Sequence, residues 1–317
     1  MRNSKIETDR FRLWAGLALL IVAIAGCEGG GDGIAQQPEP RDVSCDSTSV
    51  LENGACRTFA ERIDARASTP FTEDGEPVEL EVVIFKPLEG ERFPLLVVNH
   101  GSTGSGSDPS LFDDTFTHKP TALHFVERGW MVAFPQRRGR GQSDGLYDEG
   151  FTSNRSGYSC DATIALAGAD RALDDLDAVT DWLRMRSDVD TTRTLVSGSS
   201  RGGILSIAYL ARRPDVYLGA INFVGGWLGE GCGDFAAVNR TLFVDGAAFP
   251  GRSLWIYGEN DSFYSLGHSQ ANFDAFTQAG GVGDFEVLQR DPGLNGHFII
   301  NDADRWANIV DGYIDEL

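Results

Sequence analysis

Gly198-Ser199-Ser200-Arg201-Gly202 is the segment of this 317-residue chain best fitted to do chemistry. It matches G-x-S-x-G, in which a serine sits on a sharp turn between a strand and a helix. A hydroxyl is a useful nucleophile only if it stands clear of the backbone, and glycines two before and two after leave room for that turn. Ser199 competes for the role, but the register of the motif selects Ser200. Thr194 to Ser197 reads as the strand, and Gly202 to Arg212 as the helix, stopped by Pro214. Other chemistries lack their signatures. CxxC, HExxH, GxxxxGK[ST] and GxGxxG do not occur, so no zinc, nucleotide or other cofactor is expected.

The elements that must hold such a turn can be read along the chain. Glu79 to Phe85 alternates and is rich in β-branched residues, as a strand does. Leu95 to Asn99 is a short continuous apolar run, the mark of a central parallel strand buried on both faces. Trp130 to Phe134, Ala220 to Val224, Leu254 to Tyr257 and Phe285 to Leu288 are further strands. Ala122 to Arg128, Ala169 to Met185, Gln270 to Gln278 and Asp304 to Ile314 are expected helices; the second spaces Leu173, Leu176, Val179 and Leu183 along one face. Alternation of this kind predicts an α/β fold with a mostly parallel twisted sheet flanked by helices. Residues 225–250 carry many glycines and little periodicity, and are expected to form a lid or insertion.

With the serine turn in this setting, the sequence from about residue 78 to 317 resembles the α/β-hydrolase superfamily. The phrases VSGSSRGG, INFVGGW and LWIYGENDSFY are most similar to its dienelactone-hydrolase and prolyl-oligopeptidase-like group. Four pieces match in chain order. His100-Gly101-Ser102-Thr103-Gly104 looks like the family's oxyanion loop, implying a backbone N–H donor at Ser102, with Thr103 as the alternate. The second donor would be the N–H of Arg201. His100 itself is expected to shape the loop. Arg138-Gly139-Arg140-Gly141-Gln142-Ser143-Asp144-Gly145 resembles the family's RGxGxSxG loop, which braces the fold near the site. Gly258-Glu259-Asn260-Asp261 is similar to the segment that supplies the triad acid, with Asp261 in that position and Glu259 as its neighbour and competitor. His297 stands where the order Ser…Asp…His requires the base; His268, only seven residues past Asp261, fits less well.

The resemblance implies a Ser200–His297–Asp261 triad acting through an acyl-enzyme. Substrate is less constrained, because one fold serves many chemistries. Members of the group include esterases, lactonases and peptidases. Prolyl oligopeptidases carry a propeller domain, for which the roughly fifty residues between Cys27 and the first clear strand are too few. Dienelactone hydrolases use a cysteine nucleophile, and this chain has Ser200. Carboxylic-ester cleavage is therefore ranked first and peptide or amide cleavage second. A non-catalytic envelope lipoprotein that uses the fold for binding is the alternative of another class; a complete Ser–Asp–His order argues against it. Trp227, Phe223 and Phe263 lie near predicted strand ends and are candidates for a pocket wall, with core packing the plainer role for Phe223.

The amino terminus reads as an address. Arg2, Lys5, Arg10 and Arg12 precede an apolar run, Leu13 to Ala25, of signal-peptide length. The run ends Ile24-Ala25-Gly26-Cys27, similar to a bacterial lipoprotein signal with Cys27 as the lipidated residue. Expected organisation is a signal over 1–26, a tether and disulfide-bearing segment over 27–56, and a catalytic domain over 57–317. The expected location is the bacterial cell envelope, lipid-anchored and facing the periplasm (outer membrane favoured) or the cell surface. Four cysteines then remain, Cys45, Cys56, Cys160 and Cys232, an even number suited to an oxidising compartment. Cys45–Cys56 with Cys160–Cys232 is the preferred of three pairings, since the first closes a short local loop. A formal net charge of −20 disfavours nucleic acid as a partner. The resemblance implies a small ester or peptide as substrate.

Overall fold

A continuous apolar strand needs cover on both faces, and that requirement organises the molecule. The computed structural model describes residues 44–317; Cys27 and the expected lipoprotein signal lie outside them. In chain order the strands are β1 (Ser49–Glu52), β2 (Ala55–Thr58), β3 (Glu61–Glu73), β4 (Glu76–Lys86), β5 (Phe93–Asn99), β6 (Met131–Pro135), β7 (Val189–Ser199), β8 (Gly219–Phe223), β9 (Arg252–Gly258) and β10 (Val282–Leu288). The helices are α1 (Lys119–Val126), α2 (Ala162–Arg184), α3 (Arg201–Arg212), α4 (Phe235–Asp245), α5 (Leu266–Gln278) and α6 (Ala303–Asp315). Strands β3 to β10 form one eight-stranded sheet in the order β10-β9-β8-β7-β5-β6-β4-β3. From β10 to β6 every neighbouring pair is parallel; β4 runs antiparallel to both β6 and β3. The predicted strands are all present in this sheet.

Leu95, Leu96, Val97 and Val98 of β5, and Leu195 and Val196 of β7, are almost wholly buried. They sit mid-sheet, where helices cover both faces. The carboxyl ends of β5, β7 and β9 consequently open on one rim, where open α/β sheets place their ligand sites.

Three regions differ from expectation. Helix α2 starts at Ala162, seven residues before the predicted Ala169. Gly168 hides this turn in the sequence, and its bareness is used for packing: a Cβ there would lie 2.2 Å from the Gly150 amide nitrogen. Strand β3 was not foreseen because it is an edge strand with mostly exposed polar residues; its register shifts between Ser68 and Thr72, around Pro70, which an edge tolerates. Residues 225–250 contain helix α4, whose buried Val238, Leu242 and Phe243 rest against α3 and α5.

Both preferred disulfides are present. Cys45–Cys56 staples the β1–β2 hairpin, which runs across the domain boundary expected at 56/57. Cys160–Cys232 ties the start of α2 to the loop before α4. No described helix is long and apolar enough to cross a membrane.

Candidate active site

Ser200 caps α3 with φ 56° and ψ −122°, a left-handed backbone that costs a non-glycine residue about 1–3 kcal/mol. The turn is held on every side. The Ser200 N–H donates to the Phe223 carbonyl at 3.0 Å, and the Gly203 and Gly226 N–H groups donate to the Ser200 carbonyl at 2.9 and 3.2 Å. The flanking glycines are steric necessities. A Cβ on Gly202 would lie 2.0 Å from the Asn99 carbonyl oxygen, and one on Gly198 would lie 2.4 Å from Gly202. These contacts force the strand, the turn and the end of β5 together, leaving the Ser200 side chain at the rim.

Asp261 follows β9. Its side chain is almost fully buried. Oδ1 accepts the N–H groups of Phe263 and Tyr264 at 2.7 and 3.1 Å, which leaves Oδ2 to accept from His297 Nδ1 at 2.9 Å. A carboxylate only accepts, so Nδ1 carries the hydrogen and Nε2 keeps its lone pair. His297 lies in a short 3₁₀ turn, Gly296–Asn301, and the Asn295 Oδ1 accepts both the His297 and the Ser262 N–H groups, at 3.0 and 3.1 Å. Asn295 therefore clamps the loop of the acid to the loop of the imidazole. Phe263, Tyr264 and Phe298 surround the ring, with centroids at 4.5, 5.6 and 5.6 Å.

Ser200, His297, Ser102 and Arg201 line one cavity of about 620 Å³. Asp261 stands behind His297. The oxyanion-loop candidate abuts the serine: a Cβ on Gly101 would meet the Ser200 Cβ at 3.3 Å. Arg201 opens α3, and the first N–H groups of a helix have no acceptor within it. Thr103, the alternate donor, is corrected: its N–H donates to the Tyr158 hydroxyl at 3.1 Å, so it is spent on the loop's own support. Ser102 remains of the two.

The other expected residues fall into place by their partners. His100 Nδ1 lies 2.8 Å from the Gly101 carbonyl and its Nε2 accepts the Arg137 N–H at 3.2 Å. Burial and the nearby Arg137 and Arg140 charges push its pKa well down, so it stays a neutral brace. Glu259 accepts from Gln289 at 3.0 Å, and His268 Nε2 accepts from Asn239 and Asn272 at 3.0 and 2.9 Å, which removes both from competition for the site. The Arg138–Gly145 loop is pinned to β4, since the Glu79 and Glu81 N–H groups donate to Asp144 and Ser143 at 3.0 and 2.8 Å. Trp227 and Phe263 line the cavity, whereas Phe223 packs into the core against Trp306. Among the described residues no cluster of three or more His, Cys, Asp or Glu is arranged to hold a metal ion.

Two features of the site escaped the sequence. The phenol ring of Tyr264, three residues past Asp261, is buried and lines the same cavity as Ser200. The Arg201 side chain is also buried, its guanidinium stacked between the rings of Tyr158 and Trp227 at 3.6 and 4.3 Å. It shares the carboxylate of Glu149 with Arg137. Neither feature has a spacing signature; both arise from loops meeting at the rim.

Residues 74–226 match the family described as X-Pro dipeptidyl-peptidase (S15 family). No curated protein sequence matches the chain significantly. Among solved structures, a Pyrococcus furiosus esterase aligns with TM-score 0.56 at 17% identity, over 81% of this chain and 91% of that one. An acetyl xylan esterase from Paenibacillus sp. R4 aligns with TM-score 0.56 at 16% identity, over 84% and 87%. A Pyrococcus horikoshii acylaminoacyl peptidase aligns with TM-score 0.55 at 16% identity, over 82% of this chain but only 41% of its own length. With the strand order, the strained serine turn and these likenesses together, the chain is an α/β-hydrolase in fold.

Proposed function

We propose that this protein is a serine hydrolase that cleaves carboxylic esters through Ser200, His297 and Asp261. The observation that carries the reading is the Asp261–His297 hydrogen bond beside a serine held on a strained turn in the same cavity. His297 Nε2 takes the Ser200 proton as Oγ attacks the ester carbonyl. The N–H groups of Ser102 and Arg201 receive the oxyanion. His297 then returns the proton to the departing alkoxide, and water repeats the sequence on the acyl-enzyme. The cavity, with Phe116, Trp227 and Phe298 in its walls, offers apolar surface that suits an ester with an apolar group.

The match of residues 74–226 to a dipeptidyl-peptidase family supports a second reading, peptide or amide cleavage by the same residues. Hydrolysis of short-chain p-nitrophenyl esters by the chain and by Ser200→Ala tests the first reading. Turnover abolished by the substitution is expected; turnover that survives it overturns the assignment, and peptide turnover with no ester turnover selects the second. An envelope location through lipidated Cys27 is part of the proposal, and palmitate labelling that persists in Cys27→Ser would refute it.

A further inference from the structure

Tyr158 touches both arms of the site that would receive the oxyanion. Its hydroxyl oxygen accepts the Thr103 N–H at 3.1 Å and lies 2.9 Å from the Thr103 Oγ1, on the loop that carries Ser102. Its ring lies 3.6 Å from the guanidinium of Arg201, the residue that opens α3. That guanidinium is held from other sides as well. Trp227 stacks on it at 4.3 Å, Nε donates to the Trp227 carbonyl at 3.1 Å, and Nη1 donates to the Glu149 carbonyl at 3.0 Å. Cys160, two residues beyond Tyr158, is bridged to Cys232 in the cavity wall, so the loop of Tyr158 is tied covalently to the loop that follows Trp227.

One buried anion fixes the direction of the hydrogen bonds. Burial acts to raise the pKa of Glu149, but the Arg137 and Arg201 charges outweigh it and keep the carboxyl ionised. A carboxylate only accepts, so the Tyr147 hydroxyl donates to it, at 3.1 Å. Burial, with the Glu149 charge beside it, pushes the Tyr147 phenol well above its ordinary pKa, so that proton stays in place. Tyr147 has then spent its hydrogen and accepts from Tyr158, at 2.6 Å. Tyr158 has spent its own in turn, and its oxygen is left to accept both the N–H and the Oγ1–H of Thr103. The chain runs from Thr103 through Tyr158 and Tyr147 to Glu149, and each bond sets the sense of the next. Ser102 is one peptide from its anchored end.

We propose that Tyr158 is a positioning residue of the oxyanion hole: its hydroxyl anchors the loop of Ser102, its ring anchors the side chain of Arg201, and the two N–H donors are thereby held in one geometry. The proposal rests on the serine-hydrolase reading of Ser200, and Tyr158 acts in it without touching a reacting atom. Such donors work when placed about 2.7–3.1 Å from the developing oxyanion, so slack in either arm is felt in the transition state more than in the bound substrate.

4-Nitrophenyl acetate and its thiono analogue, in which sulfur replaces the carbonyl oxygen, separate this role from general support of the fold. Sulfur is a larger atom and a weak acceptor, so the thiono ester draws little from the two N–H groups. The quantity read is the ratio of kcat/KM, oxygen ester over sulfur ester, because damage to Ser200, to His297 or to the fold cancels in it. Tyr158→Phe keeps the ring on Arg201 and removes the acceptor of Thr103. It is expected to lower the ratio about tenfold, short of the roughly 100- to 1000-fold that loss of a whole donor costs, with KM for the oxygen ester nearly unchanged. An unchanged ratio overturns the proposal, whatever happens to Tm. Should Tyr158→Phe fail to fold, Thr103→Val removes one of the two donors to the Tyr158 oxygen and is read in the same way: a fall of about threefold is expected, and no change overturns the proposal. If the parent chain cleaves neither ester, the ester reading fails on its own. Inactivation at Ser200 by paraoxon and by parathion, which carry P=O and P=S, then supplies the ratio. A fall of about tenfold in Tyr158→Phe supports the positioning role; equal ratios, or no reaction at Ser200 with either compound, overturn it.

Discussion

His297 Nδ1 lies 2.9 Å from Asp261 Oδ2, although 36 residues and strand β10 separate them. The other oxygen of Asp261 is fixed by two backbone N–H groups, so the carboxylate cannot turn away. Its effect on His297 is to select the tautomer that leaves Nε2 basic.

Asp261→Asn therefore isolates that effect. The amide keeps an oxygen for the Phe263 and Tyr264 N–H groups but presents NH₂ to Nδ1, which favours the wrong tautomer. On p-nitrophenyl acetate kcat is expected to fall about a thousandfold to ten-thousandfold, with KM nearly unchanged. A fall of less than tenfold would remove Asp261 from the mechanism.

The serine was the easiest part of this site to read, because Gly198 and Gly202 are dictated by backbone contacts under 3 Å and so leave a pattern in sequence. Strands β5 to β9 were equally legible, since burial on both faces demands continuous apolar runs such as Leu95–Val98. Asp261 and His297 needed chain order as well as residue type. Strand β3 was not legible because an exposed edge imposes no apolar pattern. Arg201, Glu149 and Tyr158 meet only through tertiary contacts between loops, and nothing local announces such a cluster. Thr103, the alternate donor of the oxyanion loop, was lost to Tyr158 for the same reason.

Glu149 is the anion on which that cluster depends. Burial acts to raise its pKa, but the Arg137 and Arg201 charges outweigh this and hold the carboxyl below its usual value of 4.5. A depressed carboxyl contributes stability that is complete above the unfolded-state value and is lost as pH falls through the folded-state value. Glu149→Gln leaves two buried guanidinium groups without an anion and is expected to cost about 3–5 kcal/mol at neutral pH. Its stability should also decline less than the parent's between about pH 5 and pH 2, since one titrating carboxylate is gone. Urea denaturation across that range checks both; equal stabilities at neutral pH would show that the arginines find other partners.

The Cys160–Cys232 bridge closes a 72-residue separation, and Cys232 stands in the cavity wall. Restricting a loop of that size stabilises a chain by about 4 kcal/mol in the entropy model. Replacing both cysteines with serine should lower Tm and raise KM, because the loop before α4 loses its tie to α2. The same replacement at Cys45 and Cys56 should lower Tm but leave KM alone, since neither residue lines the cavity. Identical KM values for the two variants would remove the bridge from any part in shaping the site.

Tyr264 is buried in the wall of the cavity that Ser200 lines. Burial raises its pKa well above the ordinary tyrosine value, so the hydroxyl stays protonated throughout the working range. Its backbone is positioned by the same Asp261 oxygen that holds the turn. A Cβ on Gly226 would meet the Tyr264 ring at 2.3 Å, so glycine at that position is what allows the ring to approach the serine turn. Under the proposed mechanism the Tyr264 hydroxyl would orient Ser200 for attack. Tyr264→Phe keeps the ring packing and removes only the hydroxyl. It should lower kcat about 10- to 100-fold, the scale of one hydrogen bond near the reacting atoms, and slow fluorophosphonate labelling of Ser200 by a similar factor while Tm stays near the parent's. An unchanged labelling rate beside a lowered Tm would assign the hydroxyl to packing alone.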